Sequence, residues 1–225
     1  MPSAYQEMAR FAVPLGLLAC VALFVPPFLP ASWIIAKLAF CGLGILLALL
    51  LLFVCYFFRD PERSIPADGN IVVSAADGLV VGVEEMEEPD FKLGRMRRIA
   101  VFLSVFDVHI NRAPFNGTVQ KTVYKPGEFL DVRHPESSTR NECLSWSVKT
   151  PRGPMAVRQI AGLVARRIVA WSAEGKSWKR GERIGMIRFG SRTEVFVPLE
   201  CTVLVKPGDR VAGAATPIAR WPGRE

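Results

Sequence analysis

Histidine is scarce in this chain of 225 residues, which has only His109 and His134. Its five cysteines form no CxxC pair and have no zinc-like spacing to either histidine, so the sequence indicates neither a metal site nor a disulfide framework. A Gly-x-Ser-x-Gly motif is also missing, which argues against an α/β-hydrolase. Any chemistry in this protein is therefore expected to proceed without a bound metal.

Charged residues are missing from two N-terminal stretches, 11–36 and 38–58. The second stretch is 21 residues long, enough to span about 30 Å of hydrocarbon as a helix. The first stretch is interrupted at Pro26-Pro27, where a helix must stop. It is therefore either a short first span or a re-entrant arm that leads into the second.

These stretches predict a membrane anchor in residues 1–58, a helical hairpin with apolar segments at about 11–29 and 33–58. A signal peptide would have one short apolar stretch and a cleavage site of small residues, so two stretches without such a site favour a retained anchor. Basic residues precede the first stretch and follow the second, whereas the loop between them is uncharged. By the positive-inside tendency, the rest of the chain is expected on the cytoplasmic face of the membrane.

The formal net charge of +7 has two interpretations, nucleic-acid binding and attraction to anionic lipid headgroups. No nucleic-acid recognition motif is visible, and each basic residue near an anionic membrane surface contributes about 1 kcal/mol of attraction. The densest basic cluster contains Arg95, Arg97 and Arg98. Membrane lipid is therefore the expected partner, and nucleic acid is not.

Residues 59–225 contain short β-type runs separated by glycine and proline at intervals of about ten residues. This pattern predicts a mainly β domain, a sandwich or barrel with little helix, although a helix around 160–166 stays open. Glycine-containing turns near residues 67–83 and 205–219 resemble the hairpins of lipoyl-type domains. The predicted strands are 71–73, 79–83, 99–105, 118–124, 144–148, 157–160, 167–171, 184–189, 195–197 and 202–205.

A Gly-Ser pair, Gly190-Ser191, lies between two of these runs. Because glycine has no Cβ, its carbonyl can be approached closely, and the Ser191 hydroxyl could attack it and cut the chain. His109 follows a strong predicted strand, and Asp77 or Asp107 could orient it as a base toward a serine. The residues alone leave Asp-His-Ser hydrolysis and self-cleavage equally open, with a plain turn as the alternative to both.

Eight segments, in this order, together resemble the phosphatidylserine decarboxylase family in its short, membrane-anchored bacterial form. Each segment is weak alone, but their number and order make the resemblance strong. They extend over nearly the whole predicted cytoplasmic part. The segments are 57–63 (FFRDPER), 76–78 (ADG), 102–104 (FLS), 107–114 (DVHINRAP), 116–117 (NG), 124–127 (YKPG), 140–142 (RNE) and 188–192 (RFGSR).

The resemblance implies that the Ser191 hydroxyl attacks the Gly190 carbonyl and converts the peptide to an ester. β-Elimination would then free a β chain ending at Gly190 and leave an α chain, 191–225, that begins with a pyruvoyl group. This covalent cofactor would form a Schiff base with the amine of phosphatidylserine and accept electrons as CO2 leaves, giving phosphatidylethanolamine. The two chains from one precursor would stay together, and a homodimer is left open.

The resemblance also assigns Asp77 and His109 to the site, with one departure. Longer family members carry two histidines three residues apart, and the second is the base in self-cleavage. His109 matches the first, and Arg112 stands where the second would be. The base is then His109 in a changed role, or deprotonation differs and Arg112 stabilises the oxyanion. Arg112 and Arg192 are candidate ligands of the substrate headgroup, whereas His134 has no assigned role.

Three other functions stay open at this stage. The same chemistry could act on another serine-headgroup lipid, such as an archaetidylserine-type ether lipid. A non-enzymatic, membrane-tethered lipoyl-like adaptor would keep an uncut chain and tolerate Ser191→Ala. A membrane serine hydrolase would also stay uncut, but Ser191→Ala would abolish its activity.

Overall fold

The computed structural model describes residues 4–134, 136–163, 167–188 and 191–223. The chain divides into two compact units, Met1–Asp60 and Pro61–Glu225. Strand residues outnumber helix residues, 36% against 24%, and the two long helices are both N-terminal. The predicted mainly β class, preceded by a helical hairpin, is confirmed.

The N-terminal unit consists of α1 (Ala4–Phe24), a short 3-10 helix (Pro26–Phe28) and α2 (Ile34–Phe57). The two prolines end α1 where the sequence predicted, but α1 begins before residue 11 because the polar first turns are also helical. There, Glu7 pairs with Arg10 at 3.0 Å. Both helical segments are long and apolar enough to cross a membrane, and most of their large apolar side chains are exposed. This surface indicates association with a membrane.

The second unit consists of fourteen short strands and one short helix among the described residues. Glycine, proline and polar turns separate them, as the sequence predicted. In chain order, they are β1 (Ile71–Val73), β2 (Gly78–Glu87), β3 (Arg95–Leu103), β4 (Ile110–Arg112), β5 (Gly117–Lys125), α3 (Ser137–Arg140), β6 (Cys143–Lys149), β7 (Pro154–Ala161), β8 (Ile168–Ala170), β9 (Ser177–Trp178), β10 (Arg183–Ile187), β11 (Ser191–Pro198), β12 (Thr202–Val203), β13 (Arg210–Val211) and β14 (Pro217–Arg220).

Three antiparallel sheets are formed from these strands. The largest has the order β13-β2-β3-β11-β7-β6-β5-β9, and two three-stranded sheets have the orders β4-β10-β8 and β1-β14-β12. Residues from all three contribute to one main apolar core, among them Ile99, Trp146, Ile184, Val195 and Ile218, each at most 1% exposed. β11 lies near the middle of the large sheet, so its side chains are buried on both faces.

The predicted strands differ from the observed ones mainly at their ends. The helix that the sequence left open around 160–166 is not formed in its described part, because β7 continues through Ala161; residues 164–166 lie outside the described residues. The run predicted at 184–189 is a strand to Ile187, and Phe189 also lies outside them. The sequence pattern missed β4, β9, β13 and β14, which are only two to four residues long, too short to show an alternation.

Candidate active site

Ser191 is the first residue of β11, a central strand of the large sheet. It pairs with Leu103, the last residue of β3, and with Ala161, the last residue of β7. The side chain is completely buried, and its Oγ has no hydrogen-bond partner among the described residues. Gly190, the other half of the predicted cleavage site, lies outside the described residues.

The register of the large sheet places Asp77 and Ser191 at the same end of its strands. β2 begins immediately after Asp77 and is antiparallel to β3, with Leu79 opposite Phe102, and Ser191 lies opposite Leu103. The two residues are therefore carried at one end of three neighbouring strands, β2, β3 and β11. His109 lies in the segment that connects the end of β3 to β4, and its role with them stays a prediction.

His109 is fully buried and oriented by the protein backbone. Its Nδ1 lies 2.9 Å from the carbonyl oxygen of Asp107. Because a carbonyl only accepts hydrogen bonds, Nδ1 carries the proton in this contact, and Nε2 of the neutral ring keeps a lone pair. The carbonyl of His109 accepts a hydrogen bond from Ile187 N–H at 3.3 Å, which joins it to the end of β10, upstream of Ser191.

The described contacts of the Asp107 carboxylate are with residues other than His109, although the sequence allowed it to orient the imidazole. Its Oδ2 accepts hydrogen bonds from the backbone N–H and hydroxyl of Ser104, at 2.8 and 2.6 Å. Its Oδ1 pairs with Arg210 at 3.1 Å. Asp107 thus orients His109 through its backbone carbonyl, while its side chain closes the turn after β3.

Asp77 is held by two partners at the start of β2. Arg63 donates to Oδ2 at 2.7 Å, and the backbone N–H of Gly213 donates to Oδ1 at 2.8 Å. The next residue, Gly78, has φ +146°, and a Cβ placed there would lie 2.0 Å from the carbonyl oxygen of Phe102. Only glycine fits this turn, which explains the Asp-Gly pair in the sequence.

The sequence pattern missed a buried polar cluster next to Ser191. Asn111 Oδ1 accepts hydrogen bonds from Gln159 Nε2 at 2.5 Å and from Thr193 Oγ1 at 3.2 Å. All three residues are at most 1% exposed. Asn111 Nδ2 and Gln159 Oε1 have no partners among the described residues. The available signal was an uncharged polar residue inside a predicted strand, as Gln159 is within 157–160.

Arg192 lies on the face of the sheet opposite Ser191, because successive strand residues alternate in direction. Its guanidinium donates to the carbonyl of Val132 at 2.9 Å and to the hydroxyl of Ser138. Burial lowers the pKa of Arg192, and the carboxylate of Glu194 partly opposes this effect. The structure does not bring this side chain together with that of Ser191, and its headgroup role stays a prediction.

Arg112 is buried on β4 and contacts backbone carbonyls, those of Gly181 at 3.2 Å and Pro61 at 3.0 Å. Its proposed roles toward an oxyanion or a headgroup stay predictions. His134, which was given no role, lies in an exposed turn before α3, where its Nδ1 accepts the backbone N–H of Glu136 at 3.3 Å.

Fold and site together define a class of protein: a membrane-associated β protein with a buried serine at the start of a central strand, whose hydroxyl has no partner among the described residues. Within the described ranges, no three His, Cys, Asp or Glu side chains cluster as metal ligands. The phosphatidylserine decarboxylase family model matches residues 50–219.

Curated relatives support the same family over almost the whole chain. A protein of Symbiobacterium thermophilum is 49% identical over 200 residues, which cover 87% of this chain and 93% of the relative. One from Syntrophus aciditrophicus is 41% identical over 217 residues, 96% of each chain. One from Carboxydothermus hydrogenoformans is 44% identical over 182 residues, 80% of this chain and 85% of the relative. All three are named phosphatidylserine decarboxylase proenzyme. The chain belongs to the phosphatidylserine decarboxylase family, as its motifs predicted.

Proposed function

We propose that this chain cuts itself between Gly190 and Ser191 and then decarboxylates phosphatidylserine to phosphatidylethanolamine. The name proenzyme, carried by its relatives, supports processing of a precursor. The observation that carries the proposal is the fully buried Ser191 Oγ without a partner among the described residues. A hydroxyl buried in this way costs about 1–3 kcal/mol, so it calls for a functional explanation.

In self-cleavage, the oxygen of this hydroxyl can be followed from Ser191 to the carboxylate of Gly190. Ser191 Oγ bonds to the carbonyl carbon of Gly190 as the peptide C–N bond breaks, which gives an ester and a free amine. Loss of a proton from Cα then breaks the Cβ–Oγ bond, so the oxygen leaves with Gly190 as part of its new carboxylate. Water replaces the nitrogen left on residue 191, ammonia departs, and a pyruvoyl group starts the α chain.

His109 is the proposed base for the first step, because its Nε2 keeps the lone pair while Nδ1 is directed to the Asp107 carbonyl. Asp77, fixed by Arg63 and Gly213, is its proposed partner. General-base catalysis contributes about 100-fold to 10,000-fold, so His109→Ala should slow cleavage within that range. Asp77→Asn should slow it as well, as followed by separation of the two chains on a gel. Normal maturation of both variants would contradict this assignment.

Ser191 and the pyruvoyl group derived from it fit the position at the start of β11. When present, a pyruvoyl group supplies a carbonyl that bonds to a primary amine and withdraws electrons as CO2 leaves. The protein supplies the placement: β11 lies between β3 and β7, so the new N-terminus of the α chain is fixed by ladders on both sides. The side chains of β11 are buried, so the new terminus lies inside the domain.

The anchor fits a substrate that resides in a membrane. We assign residues 1–58 as the anchor and 59–225 as the decarboxylase domain, on the cytoplasmic face of a bacterial inner membrane. Two membrane-length helices, basic flanks and the net charge of +7 support this arrangement.

An intact mass spectrum of the purified protein beside a Ser191→Ala control tests the proposal. We expect two chains that part at Gly190/Ser191, the smaller lighter by one ammonia than a peptide starting with serine. The cut protein should then release CO2 from phosphatidylserine in detergent micelles. A single uncut chain would remove the mechanism and favour the adaptor or hydrolase interpretation. Two chains without release of CO2 would leave the cofactor but exclude this substrate.

A further inference from the structure

The polar cluster of Asn111, Gln159 and Thr193 joins the strands on both sides of the proposed cut. β10 ends upstream of Gly190-Ser191, and β11 begins at Ser191. The backbone of Asn111 pairs with Gly185 in β10. Its side-chain Oδ1 accepts a hydrogen bond from the hydroxyl of Thr193, the third residue of β11. One residue of β4 therefore contacts both ends of the segment that must react.

Gln159 fixes the side chain of Asn111 in this position. It lies opposite Thr193 in the ladder of β7 and β11, and its Nε2 donates to the same Oδ1. A Cβ placed on Gly185 would lie 3.2 Å from Gln159 Nε2 and 3.3 Å from Oε1. The amide is therefore packed tightly against β10. Asn111 thus joins β7 and β11 through its side-chain oxygen and β10 through its backbone.

The polar cluster and the Ser191 side chain lie on the same face of β11. The side chains of residues 191 and 193 point to the same face of β11, because a strand has a period of two. The cluster is shielded from bulk solvent, since all of its members are at most 1% exposed. A buried polar network that rigidifies a strand is expected to limit how far its first residue can move.

We propose that Asn111 is a positioning residue for self-cleavage, which holds β10 and β11 in the geometry that brings Ser191 Oγ to the Gly190 carbonyl. This inference rests on the proposed function. The contact of Asn111 with Thr193 becomes a contact between the β and α chains once the bond is cut. Loss of the contact should therefore slow the formation of the ester more than it weakens the fold.

The matched pair Thr193→Val and Thr193→Ser separates the hydroxyl from the methyl group. Valine keeps the shape and removes the donor to Asn111, whereas serine keeps the donor and removes a methyl group. Cell-free synthesis of each full chain in the presence of detergent gives the rate at which the two bands appear. We expect Thr193→Val to cleave about tenfold more slowly, which corresponds to about 1.4 kcal/mol. Thr193→Ser should cleave at close to the wild-type rate.

Two further measurements distinguish positioning from general destabilisation. Hydroxylamine cleaves the ester directly. It therefore restores chain cleavage in a variant that is slow in elimination, but not in one that is slow in forming the ester. We expect that it will not restore cleavage of Thr193→Val. In the Ser191→Ala background, Thr193→Val should unfold within a few degrees of Thr193→Ser, since each removes one small group.

Each contrary result has a defined meaning. Cleavage of Thr193→Val at the wild-type rate would overturn the inference, as would equal slowing by Thr193→Ser. Rescue by hydroxylamine would do so too, because it would place the effect after ester formation. A wild-type chain that never cuts would instead remove the proposed function itself, so the two failures are distinguishable.

Discussion

Glu194→Gln tests how the face of β11 opposite Ser191 is stabilised. The Glu194 side chain is completely buried. Its Oε1 lies 2.9 Å from Arg98 Nη1 and 3.1 Å from Arg192 Nε, and its Oε2 lies 3.9 Å from Arg158 Nη1. The three guanidinium side chains are only 13%, 8% and 6% exposed. This carboxylate faces three largely buried cations, of which Arg98 also pairs with Glu84 at 2.6 Å and Arg158 with Asp90 at 3.4 Å.

Removal of one partner from a buried ion pair costs about 3–5 kcal/mol, because the remaining charge stays buried without compensation. Glutamine keeps the shape of Glu194 and can still accept one hydrogen bond, so we expect a loss of about 3 kcal/mol, the lower end of that range. A unit of this size loses roughly 2–4 °C in Tm for each kcal/mol, which gives about 6–12 °C.

The assay is thermal unfolding, followed by circular dichroism in detergent micelles, of chains that also carry Ser191→Ala and are therefore uncut. Glu85→Gln is the matched control. Glu85 pairs with Arg97 at 2.7 Å, but the two side chains are 44% and 25% exposed, and such a pair contributes about 0–1 kcal/mol. A fall in Tm for Glu194→Gln no larger than that of the control would refute the reasoning. With Ser191 intact, Glu194→Gln should still cleave, because its side chain points away from the serine.

The remaining predictions concern three separate positions. Gly78→Ala should disrupt the turn that holds Asp77 and slow cleavage on a gel, because φ is +146° and the added Cβ would overlap the Phe102 carbonyl; cleavage at the normal rate would contradict this. Burial opposes ionisation of Asp90, but hydrogen bonds from a lysine and a serine outweigh it and keep its pKa below the usual value. The charged form therefore stabilises the fold above about pH 4 and this stabilisation is lost as the pH falls through the lower folded value, so Asp90→Asn should flatten the acid branch of a Tm-against-pH curve. Burial raises the pKa of Cys201 to about 12, so its thiol should resist iodoacetamide at pH 8 until the protein is unfolded, as peptide mass spectrometry would show.

Local sequence patterns predicted those parts of the fold that depend on residues close together in the sequence. Uncharged stretches predicted the two helices, and prolines predicted the break between them. Alternating apolar runs predicted the long strands, and Asp77-Gly78 predicted a tight turn. The limits of α1 were missed because a helix extends beyond its apolar part wherever pairs such as Glu7 and Arg10 support it.

Contacts between distant residues were the part that the sequence could not provide. Asn111 meets Thr193 only because β4 and β11 belong to different sheets that pack together. Asp77 is held by Arg63, 14 residues before it, and by Gly213, 136 residues after it. The direction of Arg192, in contrast, follows from strand alternation once the start of β11 is known. The sequence therefore supplied candidate residues, and the register of the sheets decided which of them share a face.

The proposed cut removes no hydrogen bonds between the strands that hold β11. Pairing of β11 starts at Ser191, so a break before this residue removes none of the ladder to β3 or β7. Downstream, β13 pairs with β2 and β14 pairs with β1, so three strands of the α chain remain bound to the β chain. Glu194 adds ion pairs to β3 and β7 on the opposite face. Because the contacts that hold residues 191–223 do not depend on the peptide bond, the reactive serine can be consumed at the end of a strand while the sheet that positions it stays intact.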